Sequence, residues 1–187
     1  MTSNLNLNAP SLKIDPIQFE VVRSALTQVA EEMAAALRRS AYSTNVKTRQ
    51  DFSCAFFDRD CRPISQAFTQ PVHLGSFVEL IPTSVKTYGA ENLETGDMLV
   101  VNNPFGGGSH LNDVTVFGPV HHNGELVGYV ASLAHHVDVG GGAPASIGPF
   151  QEIFQEGIII PPVKLVKRGE MNEDVFKLLL SQIRSKR

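Results

Sequence analysis

Apolar residues recur at helical intervals in the first forty residues of the chain. Asp15 is a suitable N-cap and Pro16 suits the first helical position, so a helix is predicted over 16–39. Its apolar positions alternate in steps of three and four, which is typical of one buried helical face. We expect that face to consist of Phe19, Val22, Leu26, Val29, Met33 and Leu37.

Further along, short runs rich in β-branched and aromatic residues predict strands between turn signals. The predicted strands cover 52–57, 64–68 and 98–102. A short helical pattern passes through Phe77 and Ile81, and we expect Pro82 to interrupt it. A last helix is predicted after Asn172.

Two apolar runs, 114–120 and 125–133, flank Asn123-Gly124, which is the strongest short-range signal for a β-hairpin. If Asn123 and Gly124 are the two loop residues, Asp113 faces Ala134 and Leu111 faces His136. The hairpin then brings the segment before its first strand beside the segment after its second strand.

These patterns predict an α+β fold: a hairpin-rich mixed sheet packed by the N-terminal amphipathic helix. The 187 residues, 42% of them hydrophobic, suit one domain with a sizeable core. We expect residues 1–14 to form a flexible N-terminal arm and residues 15–187 to form the domain.

Charge and hydropathy exclude several classes of protein. The formal net charge is −3 and no block of basic residues is present, which argues against a nucleic-acid partner. No apolar run is long enough to span a bilayer, and the N-terminus lacks a signal-peptide pattern. We therefore expect a cytoplasmic protein without a membrane partner.

The flanks of the hairpin carry the residues with the clearest chemistry. His110 and Asp113 lie three apart at its entrance, and His136 and Asp138 lie two apart at its exit, so on a strand the second pair shares a face. Imidazole mixed with carboxylate suits Zn²⁺, Mn²⁺ or Fe²⁺ better than Ca²⁺ or Mg²⁺. His135 would point to the opposite face. The alternative is that these are hydrogen-bonded polar residues at a strand end.

The glycine loop 106–108 could instead bind phosphate, but it lacks the Gly-Lys-Ser/Thr ending of a P-loop and the Gly-x-Gly-x-x-Gly spacing. These departures argue against a nucleotide site in the loop, and the glycines would let backbone and ligand approach closely.

The chain resembles the N-terminal part of the hydantoinase B/oxoprolinase family over nearly its whole length after the arm. Small departures are Phe105, Ser109 and Asn112, where the family often has Tyr, Thr and Pro. The matching segments are Asp15-Pro16, Ser40-Ala41-Tyr42-Ser43, Asp51-Phe52-Ser53-Cys54-Ala55, Pro71-Val72-His73-Leu74-Gly75-Ser76, Asn103-Pro104 through Val114, Ala134-His135-His136-Val137-Asp138-Val139-Gly140-Gly141, Glu152 through Ile158 and Ile160-Pro161-Pro162-Val163-Lys164-Leu165.

The resemblance implies a metal-binding catalytic subunit of an ATP-dependent amidohydrolase that opens cyclic amides. ATP would be bound by a hydantoinase A-type partner subunit in a hetero-oligomer. An alternative is a subunit of an acetone- or acetophenone-type carboxylase that acts on a ketone. A second alternative is an inactive fragment that only binds its partner. Because family members continue far past Arg187, we expect the chain to be truncated relative to them.

The resemblance also adds to the site. It implies metal ligands at His110, Asp113 and His136, together with Asp51, which spacing alone does not reveal. It implies supporting or catalytic roles for His135 and Asp138. The expected cofactor is a divalent ion, Mn²⁺, Zn²⁺ or Fe²⁺.

Overall fold

The computed structural model describes residues 15–67 and 69–184, so the predicted arm at 1–14 lies outside the described residues. The described part contains one antiparallel sheet with strand order β2-β1-β5-β4-β3-β6-β7. This architecture confirms the predicted α+β class with an N-terminal helix. The strands are β1 (Phe52–Asp58), β2 (Pro63–Gln66), β3 (Met98–Val101), β4 (Asp113–His122), β5 (Glu125–His135), β6 (Val163–Lys167) and β7 (Glu170–Met171), and the helices are α1 (Pro16–Ser40), α2 (Thr44–Lys47), α3 (Pro71–Tyr88) and α4 (Glu173–Gln182).

The main hydrophobic core lies between α3 and one face of the sheet. Because side chains alternate between the two faces of a strand, every second residue of the central strands points into this core. Phe77, Leu80 and Ile81 of α3 are at most 1% exposed. They pack in one cluster with Ala55, Phe57, Leu99, Val101, Phe117, Tyr129, Ala131 and Leu133.

The opposite face of the sheet is covered by the C-terminal half of α1. Ala30 and Ala34 are buried there against Phe52 and Cys54 of β1. The predicted apolar face of α1 is therefore wrong in its N-terminal half, where Phe19 and Val22 are more than half exposed. The reason is that the sheet reaches only the second half of this 25-residue helix.

Helix α3 differs from the prediction because it runs through Pro82 for 18 residues. Proline removes one backbone hydrogen bond and normally kinks or ends a helix. Here Ser84 and Val85, beyond the proline, are buried against the sheet. Tertiary packing therefore continues the helix past the residue that was expected to interrupt it.

The β4–β5 hairpin forms around Asn123-Gly124 as predicted, but its register is shifted by one residue. His121 pairs with Leu126 while Val120 pairs with Gly128, so Val127 is an extra residue in β5. Beyond this bulge Asp113 pairs with His135, and the predicted pairing of Asp113 with Ala134 is wrong. A one-residue slip exchanges the faces on which side chains lie, so it decides which histidine meets Asp113.

Candidate metal centre

Three polar residues lie side by side at one end of the sheet. His135 closes β5, and its neighbours across the ladder are Asp113 of β4 and Asp51, which precedes β1. The backbone N–H of His135 donates to the carbonyl of Asp51 at 3.0 Å. The antiparallel pairing of β1, β5 and β4 therefore brings together residues that are far apart in the sequence.

Asp113 lies at the centre of this group. Its Oδ1 atom is 3.1 Å from His135 Nδ1, and its Oδ2 atom is 3.4 Å from His110 Nε2. The Ser109 hydroxyl also donates a short hydrogen bond to Oδ2. Since the Asp113 side chain is only 2% exposed, these partners replace the water that a free carboxylate would bind.

Hydrogen bonding sets the charge state of this pair. Burial alone would raise the pKa of Asp113, but the hydrogen bonds from His135 and Ser109 and the nearby imidazoles lower it below its ordinary value. The same hydrogen bond to Asp113 raises the pKa of His135, against the opposing effect of burial. Asp113 is therefore held as a carboxylate, which is the form that binds cations.

His110 is placed by the glycine loop that precedes β4. Gly107 has φ of 101°, and a Cβ there would lie 2.6 Å from the backbone nitrogen of Leu80 in α3. Glycine thus allows the loop to pack closely against the helix. The backbone N–H of Asn112 lies 3.3 Å from His110 Nδ1, and the rings of His110 and His135 meet at 5.0 Å.

His73, in the first turn of α3, approaches the same carboxylates from above the sheet. Its Nε2 atom is 3.5 Å from Asp51 Oδ1 and 3.7 Å from Asp113 Oδ2, and its side chain is 3% exposed. Its Nδ1 atom is 3.3 Å from the hydroxyl of Ser53. Burial lowers the pKa of His73, although the two carboxylates act in the opposite direction.

The donor set fits a divalent transition metal. Among residues 15–67 and 69–184, the group whose ligand atoms all lie within 4.8 Å of one another is His110, Asp113 and His135. Two imidazoles and a carboxylate suit Zn²⁺, Mn²⁺ or Fe²⁺. Asp51 and His73 lie just outside this group. The Nε2 atom of His73 is 3.5 Å from Asp51 Oδ1 and 3.7 Å from Asp113 Oδ2.

The structure places the two other predicted site residues elsewhere. His136 follows His135 and therefore points to the opposite face, where it lines a cavity with Val114, Val116 and Phe176. Asp138 accepts hydrogen bonds from the backbone N–H and Nη1 of Arg184 at 2.6 and 2.7 Å. His136 is therefore outside the group of His110, Asp113 and His135, and Asp138 is paired with Arg184.

Two of the residues that meet at the centre, His135 and His73, are not among the metal ligands predicted from the sequence. His135 was expected to point away, and only the bulge at Val127, for which the sequence has no clear signal, reverses that expectation. His73 is not among the site residues predicted from the sequence. Its position beside Asp51 follows from α3 packing across β1, and the Pro71-Val72-His73-Leu74-Gly75 match was the only sequence signal for it.

The fold is thus a sheet with helices on both faces and a His/Asp group at one end. The family model for Hydantoinase B/oxoprolinase matches residues 15–187. The chain belongs to the hydantoinase B/oxoprolinase family.

Relatives within this family are similar over most of the chain. 5-oxoprolinase 1 of Arabidopsis thaliana is 43% identical over 167 residues, which is 88% of this chain and 13% of that protein. Caprolactamase subunit beta of Pseudomonas jessenii is 38% identical over 174 residues, 92% of this chain and 30% of its own length. The chain thus spans less than a third of the length of these relatives.

Two solved structures share the fold. The ATP-dependent caprolactamase of Pseudomonas jessenii superposes with a TM-score of 0.86 at 36% identity, over 93% of this chain and 30% of that chain. Acetone carboxylase superposes with a TM-score of 0.84 at 19% identity, over 91% of this chain and 23% of that chain. In the described ranges, every helix is too short or too polar to cross a membrane.

Proposed function

We propose that the chain carries the metal site of an ATP-dependent amidohydrolase of the hydantoinase/oxoprolinase type, which opens cyclic amides. The observation that carries this proposal is the group of His110, Asp113 and His135, whose ligand atoms lie within 4.8 Å. The family membership supports the reaction type. The relatives named 5-oxoprolinase and caprolactamase are 43% and 38% identical to this chain, whereas the acetone carboxylase structure is 19% identical and supports the fold alone.

The proposed ligands are His110, Asp113 and His135, with Asp51 completing the set. His135 takes the place first expected for His136, because the bulge in β5 turns His135 toward Asp113. When bound, a divalent metal would polarise a carbonyl or phosphoryl oxygen of the substrate or activate water. Mn²⁺, Zn²⁺ and Fe²⁺ are the expected ions.

The exposure of the side chains indicates how a substrate would reach the centre. The side chains of His110 and Asp51 are 45% and 30% exposed, whereas that of Asp113 is 2% exposed. Asp113 therefore forms the floor of the site, and the exposed residues form its rim. Asp113 Oδ1 and His135 Nδ1 face each other at 3.1 Å, so a metal bound by both atoms would take the place of the hydrogen bond between them.

ATP would reach the reaction through a hydantoinase A-type partner subunit in a hetero-oligomer. The glycine loop of this chain packs against α3 and lacks the spacing of the two common phosphate-binding motifs, which supports a nucleotide site on the partner. Opening a stable ring needs a driving force, which phosphorylation of the amide by the partner would supply. The present chain would then bind and orient the activated ring.

Metal analysis and an activity assay together test the proposal. The purified chain should retain close to one equivalent of metal after dialysis against Mn²⁺ or Zn²⁺, and the His135→Ala variant should not. With an A-type subunit and ATP, hydantoins, 5-oxoproline and lactams should stimulate phosphate release and yield the open-ring acid. Equal metal content in both proteins, or nucleotide hydrolysis that none of these amides stimulates, would contradict it.

A further inference from the structure

His73 is a buried histidine that the proposed ligand set does not use. Its ring lies between two carboxylates, with Nε2 at 3.5 Å from Asp51 and 3.7 Å from Asp113. These distances are longer than those of strong hydrogen bonds, but they place the ring in contact with both acids. The His73 side chain is 3% exposed, and that of Asp51 is 30% exposed.

The other side of the ring is held by a chain of hydroxyl groups. Thr69 Oγ1 donates to Ser53 Oγ at 2.9 Å, and Ser53 Oγ lies 3.3 Å from His73 Nδ1. The Ser53 hydroxyl has one proton and two acceptors at 3.3 Å, the carbonyl of Gln70 and His73 Nδ1. Since a neutral imidazole has one donor and one acceptor nitrogen, donation to Nδ1 leaves the ring proton on Nε2. The Nε2–H group then points at the two carboxylates.

We propose that His73 is a positioning residue that orients Asp51 and Asp113 toward the metal through Nε2–H, without binding the metal itself. This inference rests on the proposed function, since it assigns a role relative to the same site. His73 is fixed by α3, whose neighbouring residues Phe77 and Leu80 are part of the main core. The position of α3 therefore sets the distance between the carboxylates of Asp51 and Asp113, which β1 and β4 bring to the end of the sheet.

Groups that hydrogen-bond to metal ligands usually contribute measurably to the metal-binding affinity. Removing such a partner typically weakens metal binding by about 10- to 100-fold. His73→Leu fills the same space with an apolar side chain of similar size but removes the N–H group. The Mn²⁺ affinity should therefore fall by that factor. His73→Gln restores an N–H donor at a similar distance and should recover most of the loss.

Mn²⁺ binding to the full chain, followed by electron paramagnetic resonance, measures both affinity and ligand identity. Electron spin-echo modulation counts the histidine nitrogens bound to Mn²⁺. The unaltered chain should show two, from His110 and His135, and His73→Leu should also show two with a weaker affinity. His122→Gln, an exposed histidine at the hairpin turn, is the matched control and should bind like the unaltered chain.

Several outcomes separate this inference from the proposed function. Three coupled nitrogens in the unaltered chain that fall to two in His73→Leu would make His73 a ligand and overturn the positioning role. Equal affinities of His73→Leu and the unaltered chain would overturn it as well, and the proposed function would stand. No Mn²⁺ binding by the unaltered chain would overturn the proposed function and this inference together.

Ser53→Ala provides a second test should His73→Leu fold poorly. It removes the hydroxyl that aligns Nδ1 but leaves the ring and the helix in place. The Mn²⁺ affinity should fall in the same direction as in His73→Leu, by a smaller factor. An unchanged affinity in this folded variant would overturn the proposed alignment of the ring.

Discussion

Asp113 and His135 face each other across β4 and β5, with Asp113 Oδ1 3.1 Å from His135 Nδ1. The two oxygens of this carboxylate contact different segments. Oδ1 faces His135 on the neighbouring strand, and Oδ2 faces Ser109 and His110 in the glycine loop. One buried side chain connects every other candidate ligand except Asp51. The centre should therefore depend on Asp113 more than on any other residue.

Asp113→Asn should abolish metal binding at micromolar metal. The change keeps the shape of the side chain but removes the charge that attracts the cation and one of its oxygen donors. Isothermal titration with Mn²⁺ or Zn²⁺ measures the loss. Asp174→Asn, at an exposed position of α4, is the control and should bind as the unaltered chain does. Retained affinity in Asp113→Asn would remove Asp113 from the site.

The adjacent histidines provide a direct test of the hairpin register. His135→Ala should lose metal affinity, because this ring lies on the face of the sheet with Asp113. His136→Ala should keep it, because that ring lines a cavity on the other face. The two variants remove the same side chain at neighbouring positions, so each is the control for the other. The opposite ranking of affinities would show that the bulge at Val127 is absent in solution.

Removal of metal should lower the thermal stability of the chain. A ligand that binds only the folded state stabilises it by about 2.7 kcal/mol at a free concentration 100 times its Kd. For a domain of this size that corresponds to a rise in Tm of roughly 5–10 °C. Differential scanning calorimetry with added Mn²⁺, and again after EDTA, checks the shift. His135→Ala should show no shift, and an equal shift there would indicate metal binding elsewhere.

Lys164 and Asp97 form a partly buried ion pair away from the centre, with Nζ 2.6 Å from Oδ2. Burial would raise the pKa of Asp97, but Lys164 and the backbone N–H groups of Glu94 and Arg168 lower it below 3.8. A lowered carboxyl pKa gives stability that is complete above 3.8 and is lost as the pH falls through the folded value. The Asp97 hydrogen bond also raises the pKa of Lys164 above 10.5, so its contribution is lost only at higher pH.

Asp97→Asn should consequently destabilise the protein by about 3 kcal/mol at neutral pH, since it leaves the lysine without its counter-charge. The difference from the unaltered chain should shrink as the pH falls below 3.8, where the aspartate itself becomes protonated. Urea denaturation at several pH values measures both quantities. A difference that is independent of pH would show that packing, rather than charge, is responsible.

Asn102 is a buried residue that ties the loop of His110 to the chain beyond the hairpin. Its Nδ2 donates to the carbonyls of Leu111 and Ile158 at 2.8 and 2.9 Å, and its Oδ1 accepts from Ile160 N–H at 2.7 Å. Asn102→Leu leaves these buried groups unpaired, at about 1–3 kcal/mol each. We expect a loss of at least about 3 kcal/mol in unfolding free energy and weaker metal binding.

Asn102→Asp is the matched comparison for this residue. It keeps the acceptor for Ile160 but loses the donors to Leu111 and Ile158. Its stability should lie between those of the unaltered chain and Asn102→Leu if the Ile160 hydrogen bond contributes. Wild-type stability in Asn102→Leu would show that the three hydrogen bonds have no net value.

The sequence predicted the fold where the signals are local and failed where tertiary packing decides. The cap at Asp15, the strand at 52–57 and the Asn123-Gly124 hairpin are all encoded by neighbouring residues. Helix α3 passes Pro82 because residues beyond it bury against the sheet, which no local signal reports. The uncovered N-terminal half of α1 likewise depends on where the sheet ends.

The candidate site shows the same division. His110 and Asp113 were found from their spacing at the hairpin entrance, whereas Asp51 needed the family resemblance. An unbroken hairpin and the resemblance both predict His136 rather than His135 as the ligand, and a single extra residue, Val127, reverses the alternation of the strand. His73 meets Asp51 only after a helix has packed across the sheet.

The dispersal of the centre over β1, α3, the glycine loop and both hairpin strands has a consequence for folding kinetics. Asp51 and His135 become neighbours only when β1 pairs with β5, a long-range contact that forms slowly compared with the hairpin. The hairpin brings His110, Asp113 and His135 together, but the full set of four proposed ligands exists only once β1 has paired with β5. Metal should leave the refolding rate unchanged and slow unfolding, so that the loaded protein is protected by a longer lifetime of its folded state.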